Sequence, residues 1–265
     1  KPPRGRNMPR VIAVVNQKGG VGKTTTAVNL SACLASQSRR VLLIDSDPQG
    51  NATSGLGVGK AHLRQCIYDI LINDAAITDV VLHTEVENLD LVPATINLAG
   101  AEIELVAEMS REVRLRNALE AVLDDYDYIL IDSPPSLGLI TLNVLAAARS
   151  VLIPIQCEYY ALEGITQLMN TVQMVRKHLN KSLALLGVVL TMHDFRTRIS
   201  NEVIREVRGY FKGSVFQTII PRNVKLSEAP SHGQPIHIYD PKSRGAEAYA
   251  QLATEVMRIA EESSR

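Results

Sequence analysis

Residues 11 to 25 read Val11-Ile12-Ala13-Val14-Val15-Asn16-Gln17-Lys18-Gly19-Gly20-Val21-Gly22-Lys23-Thr24-Thr25, and this stretch decides the fold. The first five residues are an unbroken apolar, β-branched run, as expected of a strand covered on both faces of a parallel sheet. A glycine-rich turn follows, and then a helical pattern over Thr24 to Ser36. In that setting successive backbone N–H groups can close round an anion, and the helix points its positive dipole end at the same place. Lys23 is expected to neutralise the β and γ phosphates of a nucleotide, and Thr24 to offer its hydroxyl to Mg²⁺. The usual G-x-x-x-x-G-K-[ST] pattern would put glycine at position 17, but Gln17 stands there and Lys18 follows.

Outward from this segment, further short apolar runs predict strands at Val41 to Ile44, Leu89 to Val92, Tyr128 to Ile131, Val151 to Ile155 and Leu185 to Leu190, with a strand end at Ile219-Ile220. Helical patterns lie between them, at Ile103 to Leu123, Leu139 to Ala148, Leu162 to Leu179 and Asn201 to Tyr210. Leu162, Ile165, Leu168, Val172, Val175 and Leu179 step by three or four and share one helix face. The alternation predicts a doubly wound α/β fold, a mostly parallel sheet with helices on both faces. Asp45 and Asp47 follow the second strand and Asp132 another, so all three carboxylates are expected at the carboxyl edge, where such folds bind ligands. The opposing reading of Asp45 and Asp47 is a pair of strand-end caps or turn formers, since Asp47-Pro48 favours a turn.

With 46% hydrophobic and 21% charged residues the chain is too apolar to be disordered. One domain is expected over residues 9–265, preceded at 1–8 by a basic extension, read as disordered or a cloning remnant with Met8 as the native start. Formal net charge is zero, so affinity for nucleic acid must come from a local patch. No apolar run is long enough for a membrane span and no signal peptide is legible, which makes the cytoplasm the expected compartment. Cys33, Cys66 and Cys157 are scattered, with no CxxC pair, and argue against a disulfide framework, a zinc site or a shared iron–sulfur cluster.

From Arg196 to Glu228 there are seven basic residues against three glutamates. Charge by itself favours a solvated, salt-bridged face, because Glu202, Arg205 and Glu206 have helical spacing. No helix-turn-helix or zinc-finger signature accompanies the patch, so any binding would be to the duplex backbone without sequence preference.

The segment Lys18-Gly19-Gly20-Val21-Gly22-Lys23-Thr24-Thr25 resembles the deviant Walker A superfamily of P-loop ATPases, and within it the ParA/Soj partition ATPases. The resemblance continues in LLIDSDPQGN (Leu42 to Asn51), YILIDSPP (Tyr128 to Pro135), IIPRNVKLSEAPSHGQPI (Ile219 to Ile236) and YDPKSRGAEAY (Tyr239 to Tyr249), and so spans residues 11 to 262. It implies a Mg²⁺-dependent ATP hydrolase whose ATP-binding residues are Lys18, Gly19, Gly20, Val21, Gly22, Lys23, Thr24, Thr25, Pro221 and Asn223. Lys18, Lys23 and Asp47 would be catalytic, Lys18 by reaching across an ATP-dependent homodimer and Asp47 by orienting the attacking water. Thr24 would meet the metal directly, Asp47 and Asp132 through water. Pro221 would pack on the adenine, with the Asn223 amide offering a donor and an acceptor to its edge. Arg196 and Lys225, with Arg222 beside them, would contact non-specific double-stranded DNA. Arg205 and Arg208 stay with the solvated face.

The implied partner is a ParB/Spo0J-type centromere-binding protein, the implied site of action the nucleoid. The alternative is a MinD-like membrane-associated positioning ATPase, which would end in a basic amphipathic helix. Here Tyr249, Leu252, Ala253, Val256 and Ile259 form a stripe flanked by Glu247, Glu255, Glu261 and Glu262, which reads as core packing. A small-molecule ligase on the same scaffold stays open, since fold does not fix function.

Overall fold

A computed structural model describes residues 10–262; the expected extension at 1–8 lies outside them. The strands are β1 (Arg10–Val14), β2 (Val41–Asp45), β3 (Leu82–His83), β4 (Leu89–Val92), β5 (Tyr128–Asp132), β6 (Ser150–Gln156), β7 (Ala184–His193) and β8 (Val215–Pro221). Between and after them run helices α1 (Lys23–Ser36), α2 (Asn51–Gly55), α3 (Ile67–Ile72), α4 (Ile77–Val80), α5 (Leu98–Glu104), α6 (Arg114–Leu119), α7 (Leu139–Ala147), α8 (Ile165–His178), α9 (Arg198–Phe211), α10 (Val224–Glu228), α11 (Ile236–Tyr239) and α12 (Arg244–Glu262).

All eight strands join one sheet in the order β3-β4-β2-β5-β1-β6-β7-β8. Every pairing is parallel except that of the two-residue edge strand β3 with β4. Successive side chains of a strand face opposite ways. Accordingly Val11, Ala13, Leu42, Ile44, Ile129 and Ile131 belong to one core layer, under α3 and α5 to α9, while Ile12, Val14, Val41, Leu43 and Leu130 belong to the other, under α1 and α12. The apolar runs of the sequence mark strands that are fully covered, and the doubly wound reading holds.

One particular differs from the sequence reading. Ile103 to Leu123 is not one helix: α5 ends at Glu104, a short 3₁₀ turn covers Leu105–Ala107, and α6 begins only at Arg114. The run between them, 108–113, has two apolar residues, Met109, which lies open to water, and Val113, which is only half-buried, and Ser110 adopts φ +52°, so no buried face continues there. The stripe on α12 does pack inward: Tyr249, Leu252, Ala253 and Val256 are buried in the layer that holds α1. No helix among the described residues is long and apolar enough to cross a membrane.

β1 and β6 are neighbours whose following helices cover opposite faces of the sheet, which opens a crevice at their carboxyl ends. The buried Asn16 side chain spans that crevice by donating to the Pro154 carbonyl at 2.8 Å, and its Oδ1 accepts from the Lys18 N–H at 3.0 Å.

Candidate active site

The loop after β1 is shaped by two glycines in the left-handed region, Gly20 at φ +75° and Gly22 at φ +87°, the latter capping α1 without a side chain. The first N–H groups of α1 therefore open into the loop, and the buried Thr191 hydroxyl holds its far side by donating to the Val21 carbonyl at 2.8 Å. Lys23 is 6% exposed and its ammonium donates to the Lys18 carbonyl at 3.1 Å, bridging the inside of the loop. Burial lowers its pKa, against the opposing charges of Asp132 and Asp47.

Register delivers the carboxylates. Val14 pairs with Asp132 and Asp132 with Asp45, so the glycine-rich loop after β1, the end of β5 and the end of β2 are adjacent. Asp132 is fully buried and neither carboxylate oxygen has a hydrogen-bond partner. Burial pushes its pKa well above the ordinary carboxylate range, and the charge of Asp45 pushes it further; the facing Thr24 hydroxyl and the Lys23 ammonium oppose this without closing a normal hydrogen bond to it. A buried, unpaired carboxylate is costly in an apolar setting. Its oxygens, the Thr24 hydroxyl and Asp47 suit a hard cation that keeps some of its water and shares phosphate oxygens, as Mg²⁺ does. These residues fit the metal.

Asp45 and Asp47 separate cleanly. Asp45, 0% exposed, accepts from the Thr53 N–H at 2.8 Å, the Thr53 hydroxyl at 2.7 Å and the Asp47 N–H at 3.2 Å. Burial nevertheless raises its pKa to about 6. Its lone pairs are engaged in holding α2 and the Asp47 turn, which is the strand-end cap reading. Asp47 accepts one bond, from the Gln49 N–H at 2.9 Å, and is left to face the loop.

These shifts carry a pH signature. An acid whose folded pKa is raised adds stability below its unfolded value, near pH 4, and that stability is lost as the pH climbs through the folded pKa. Without ligand, Asp132→Asn will therefore gain in Tm relative to wild type as the pH is raised from about 5 to about 7.5. Mg²⁺ with ATP will reverse the order, because only the wild type then satisfies the carboxylate. A Tm difference independent of both pH and ligand would mean that Asp132 is silent.

At the far end of the edge, β8 finishes at Pro221, which is buried, and Asn223 caps α10, its Oδ1 accepting from the Lys225 N–H at 2.8 Å. One acceptor position of that amide is thus engaged in the turn, while its second lone pair and its NH₂ make no hydrogen bond among the described residues. The Arg222 N–H donates to the His193 carbonyl at 2.9 Å, which ties this turn to the end of β7.

The three basic residues singled out by resemblance lie along the same rim, each already paired. Arg196, its side chain 86% exposed, binds Asp194 through two nitrogens at 2.9 and 2.8 Å, Arg222 reaches Glu158 at 2.9 Å, and Lys225 reaches Glu228 at 2.8 Å. Exposed pairs of this kind are screened by solvent and contribute little, so another anion can displace them. The charge-only reading had the salt-bridged face elsewhere. Among the described residues Arg205, Arg208, Glu202 and Glu206 form no ion pair, because α9 turns Val203, Ile204 and Val207 inward and leaves those charges in water.

Sequence reasoning missed the supporting residues, Asn16, Thr53 and Thr191 among them. It also missed Glu102, whose carboxylate accepts from the N–H groups of Leu139 at 2.8 Å and Ile140 at 3.3 Å and so caps α7 just after the Asp132 loop. Nothing local marks them, since each acts on a segment distant in the chain.

A family model described as an AAA domain matches residues 9–185. Over 249 residues the chain is 65% identical to the sporulation initiation inhibitor protein Soj of Bacillus subtilis (strain 168), covering 94% of this chain and 98% of that protein. The chain is a member of the ParA/Soj family. A second ParA/Soj relative, the chromosome partitioning protein ParA of Myxococcus xanthus, is 57% identical over 249 residues, covering 94% of this chain and 88% of that one. Among solved structures, cobyrinic acid a,c-diamide synthase from Mycobacterium smegmatis with bound ADP and magnesium superimposes with a TM-score of 0.86 at 39% identity, covering 97% of each chain. Membership of the ParA/Soj family agrees with a sheet edge on which loop, lysine and carboxylates converge.

Proposed function

We propose that this chain is a Mg²⁺-dependent ATP hydrolase of chromosome or plasmid partition, acting as an ATP-dependent homodimer on non-specific double-stranded DNA with a ParB-type partner. The observation that carries the ATPase is Asp132, fully buried and unpaired beside Lys23, Thr24 and Asp47 at the mouth of an uncapped helix. Relatives at 65% and 57% identity named Soj and ParA favour partition over the ligase chemistry named for the 39% identical structure. The burial of the α12 stripe supports core packing of that segment over an amphipathic membrane helix.

In this reading the N–H groups from Gly19 to Thr25 cradle the phosphates, and Lys23 neutralises them. Thr24, with Asp132 and Asp47 through water, would hold the metal, which would supply charge neutralisation on the phosphate oxygens. Asp47 orients the attacking water for in-line displacement at the γ phosphorus. Pro221 and the Asn223 NH₂ receive the adenine. Lys18 crosses to the partner's phosphates, where a cation stabilises charge on the transferring group much as an arginine finger does. Lys18→Ala will then bind nucleotide in its own subunit yet fail to form the ATP-dependent dimer. Light scattering with and without ATP decides this, and a normal dimer would remove Lys18 from the interface.

The DNA assignment rests on the rim formed by Arg196, Arg222 and Lys225, and its test is a salt titration with ATP, with ADP and without nucleotide on two unrelated duplexes. ATP alone should support tight binding. Alanine at both Arg196 and Lys225 should weaken it equally on both sequences, since bonds to phosphate carry no base information. Each phosphate interaction removed should flatten the slope of log affinity against log salt by about 0.9, hence by about 3.6 for a dimer in which all four act independently. Unchanged slopes would leave this rim merely solvated.

A further inference from the structure

Helix α5 and the 3₁₀ turn after it carry apolar residues on both faces. The inward face is ordinary, with Leu98, Ala101 and Leu105 fully buried at the spacing of one helix side. The opposite ridge should then be polar, yet it presents Ile96, Ile103 and Val106, between 58% and 78% exposed, with the exposed Ala99 among them and Met109 just beyond. Single exposed apolar side chains are ordinary, but a row of them along one ridge marks a surface that another molecule covers. The ridge is firmly seated, because Glu102 ties α5 to the start of α7. At its end Met109 forms one wall of an open cleft of about 340 Å³, which Ile70, Ala75, Ile77 and Ala118 also line.

Charge selects what covers it. Residues 95–110 contain Glu102, Glu104 and Glu108 and no lysine, arginine or histidine. Helical spacing puts Glu102 and Glu104 on opposite flanks of the ridge. Among the described residues neither is met by a cation: Glu102 accepts from backbone N–H groups, Glu104 from the Tyr68 hydroxyl at 2.7 Å. Below them one cation, Arg114, is shared by two carboxylates, Asp74 and Glu108. The same face on a second copy would set like charges against each other in a symmetric contact, and an anionic lipid surface would meet the same repulsion.

We propose that this ridge is the docking surface for a separate protein, which presents an amphipathic helix with an apolar face bordered by lysine or arginine. The apolar face lies along Ile96, Ile103 and Val106, one of its side chains enters the cleft beside Met109, and its cations face Glu102 and Glu104. Because α5 follows β4, on the other half of the sheet from the β7 and β8 ends that carry Arg196, Arg222 and Lys225, the inference stands apart from the ATPase and DNA readings.

The test titrates the full chain into a fluorescent helical peptide of about 18 residues, five turns, with leucine on one face and lysine on its borders. Two control peptides replace every lysine with glutamate or every leucine with serine. Wild type should bind the leucine and lysine peptide about tenfold or more tighter than either control. Ile103→Ser with Val106→Ser should weaken that binding about tenfold or more, and Glu104→Gln by a smaller factor with a shallower salt dependence. Both changes are at exposed side chains, so Tm should stay within about 2 °C. No preference for the leucine and lysine peptide in wild type, or equal affinity in the double variant, would overturn the proposal. So would loss of ATP-dependent association in the double variant by light scattering, which would assign the ridge to a second copy. Binding of wild type but not the double variant to vesicles of phosphatidylcholine and phosphatidylserine would assign it to a membrane and overturn the proposal likewise.

Discussion

Replacing Lys23 with alanine will abolish ATP binding. The Lys23 ammonium is buried inside the loop with the Lys18 carbonyl as its only hydrogen-bond partner among the described residues, and it faces two carboxylates. Removing the cation brings the phosphates against Asp132 and Asp47 without the one buried positive side chain that faces both. Truncating one partner of a buried, hydrogen-bonded charge pair costs about 2–5 kcal/mol, so the Kd for ATP should rise by roughly two to three orders of magnitude. The fold should survive, since the side chain supports no other segment. Calorimetric titration with ATP and Mg²⁺, with circular dichroism to verify folding, measures both. An unchanged Kd in the folded variant would reject the phosphate-loop assignment.

The second large effect is on turnover. Asp47→Ala should bind ATP and dimerise as wild type does, yet hydrolyse it on the order of 10²–10⁴-fold more slowly, the span associated with a positioned acid–base group. Local structure should tolerate the change, because Asp47 accepts a single turn bond from Gln49. Size-exclusion chromatography should then show a long-lived ATP-bound dimer. Asp45→Ala is the instructive contrast: it removes the acceptor of three hydrogen bonds and leaves Thr53 and the Asp47 turn unsupported. It should lower Tm first and turnover only in consequence. Wild-type turnover in Asp47→Ala would move the water-orienting role elsewhere.

The sequence by itself determined the doubly wound sheet, the glycine-rich loop after its first strand and the carboxylates of its edge. The reason is locality: a strand covered on both faces must be an unbroken apolar run, and a loop that wraps phosphate needs glycine, lysine and threonine at fixed spacing. The resemblance carried by the later motifs added the family, which charge and periodicity could not. Where local pattern misled, as from Ile103 to Leu123, helix-forming residues lacked a continuous buried face, and a positive φ at Ser110 ended the run. Tertiary structure alone decided which of two neighbouring aspartates is a strut, because that depended on Thr53 arriving from α2. It alone decided that Asp132 is stranded without a partner, through the register of β1, β5 and β2. It decided, too, which arginines stand paired at the rim and that Gln17 meets a glycine on another helix. The Asp45–Thr53 and Arg196–Asp194 pairs are set by the turn that each shares. The strand register and the meeting of Gln17 with Gly164 join segments far apart in the chain, and no spacing within one segment encodes which distant backbone will be its neighbour.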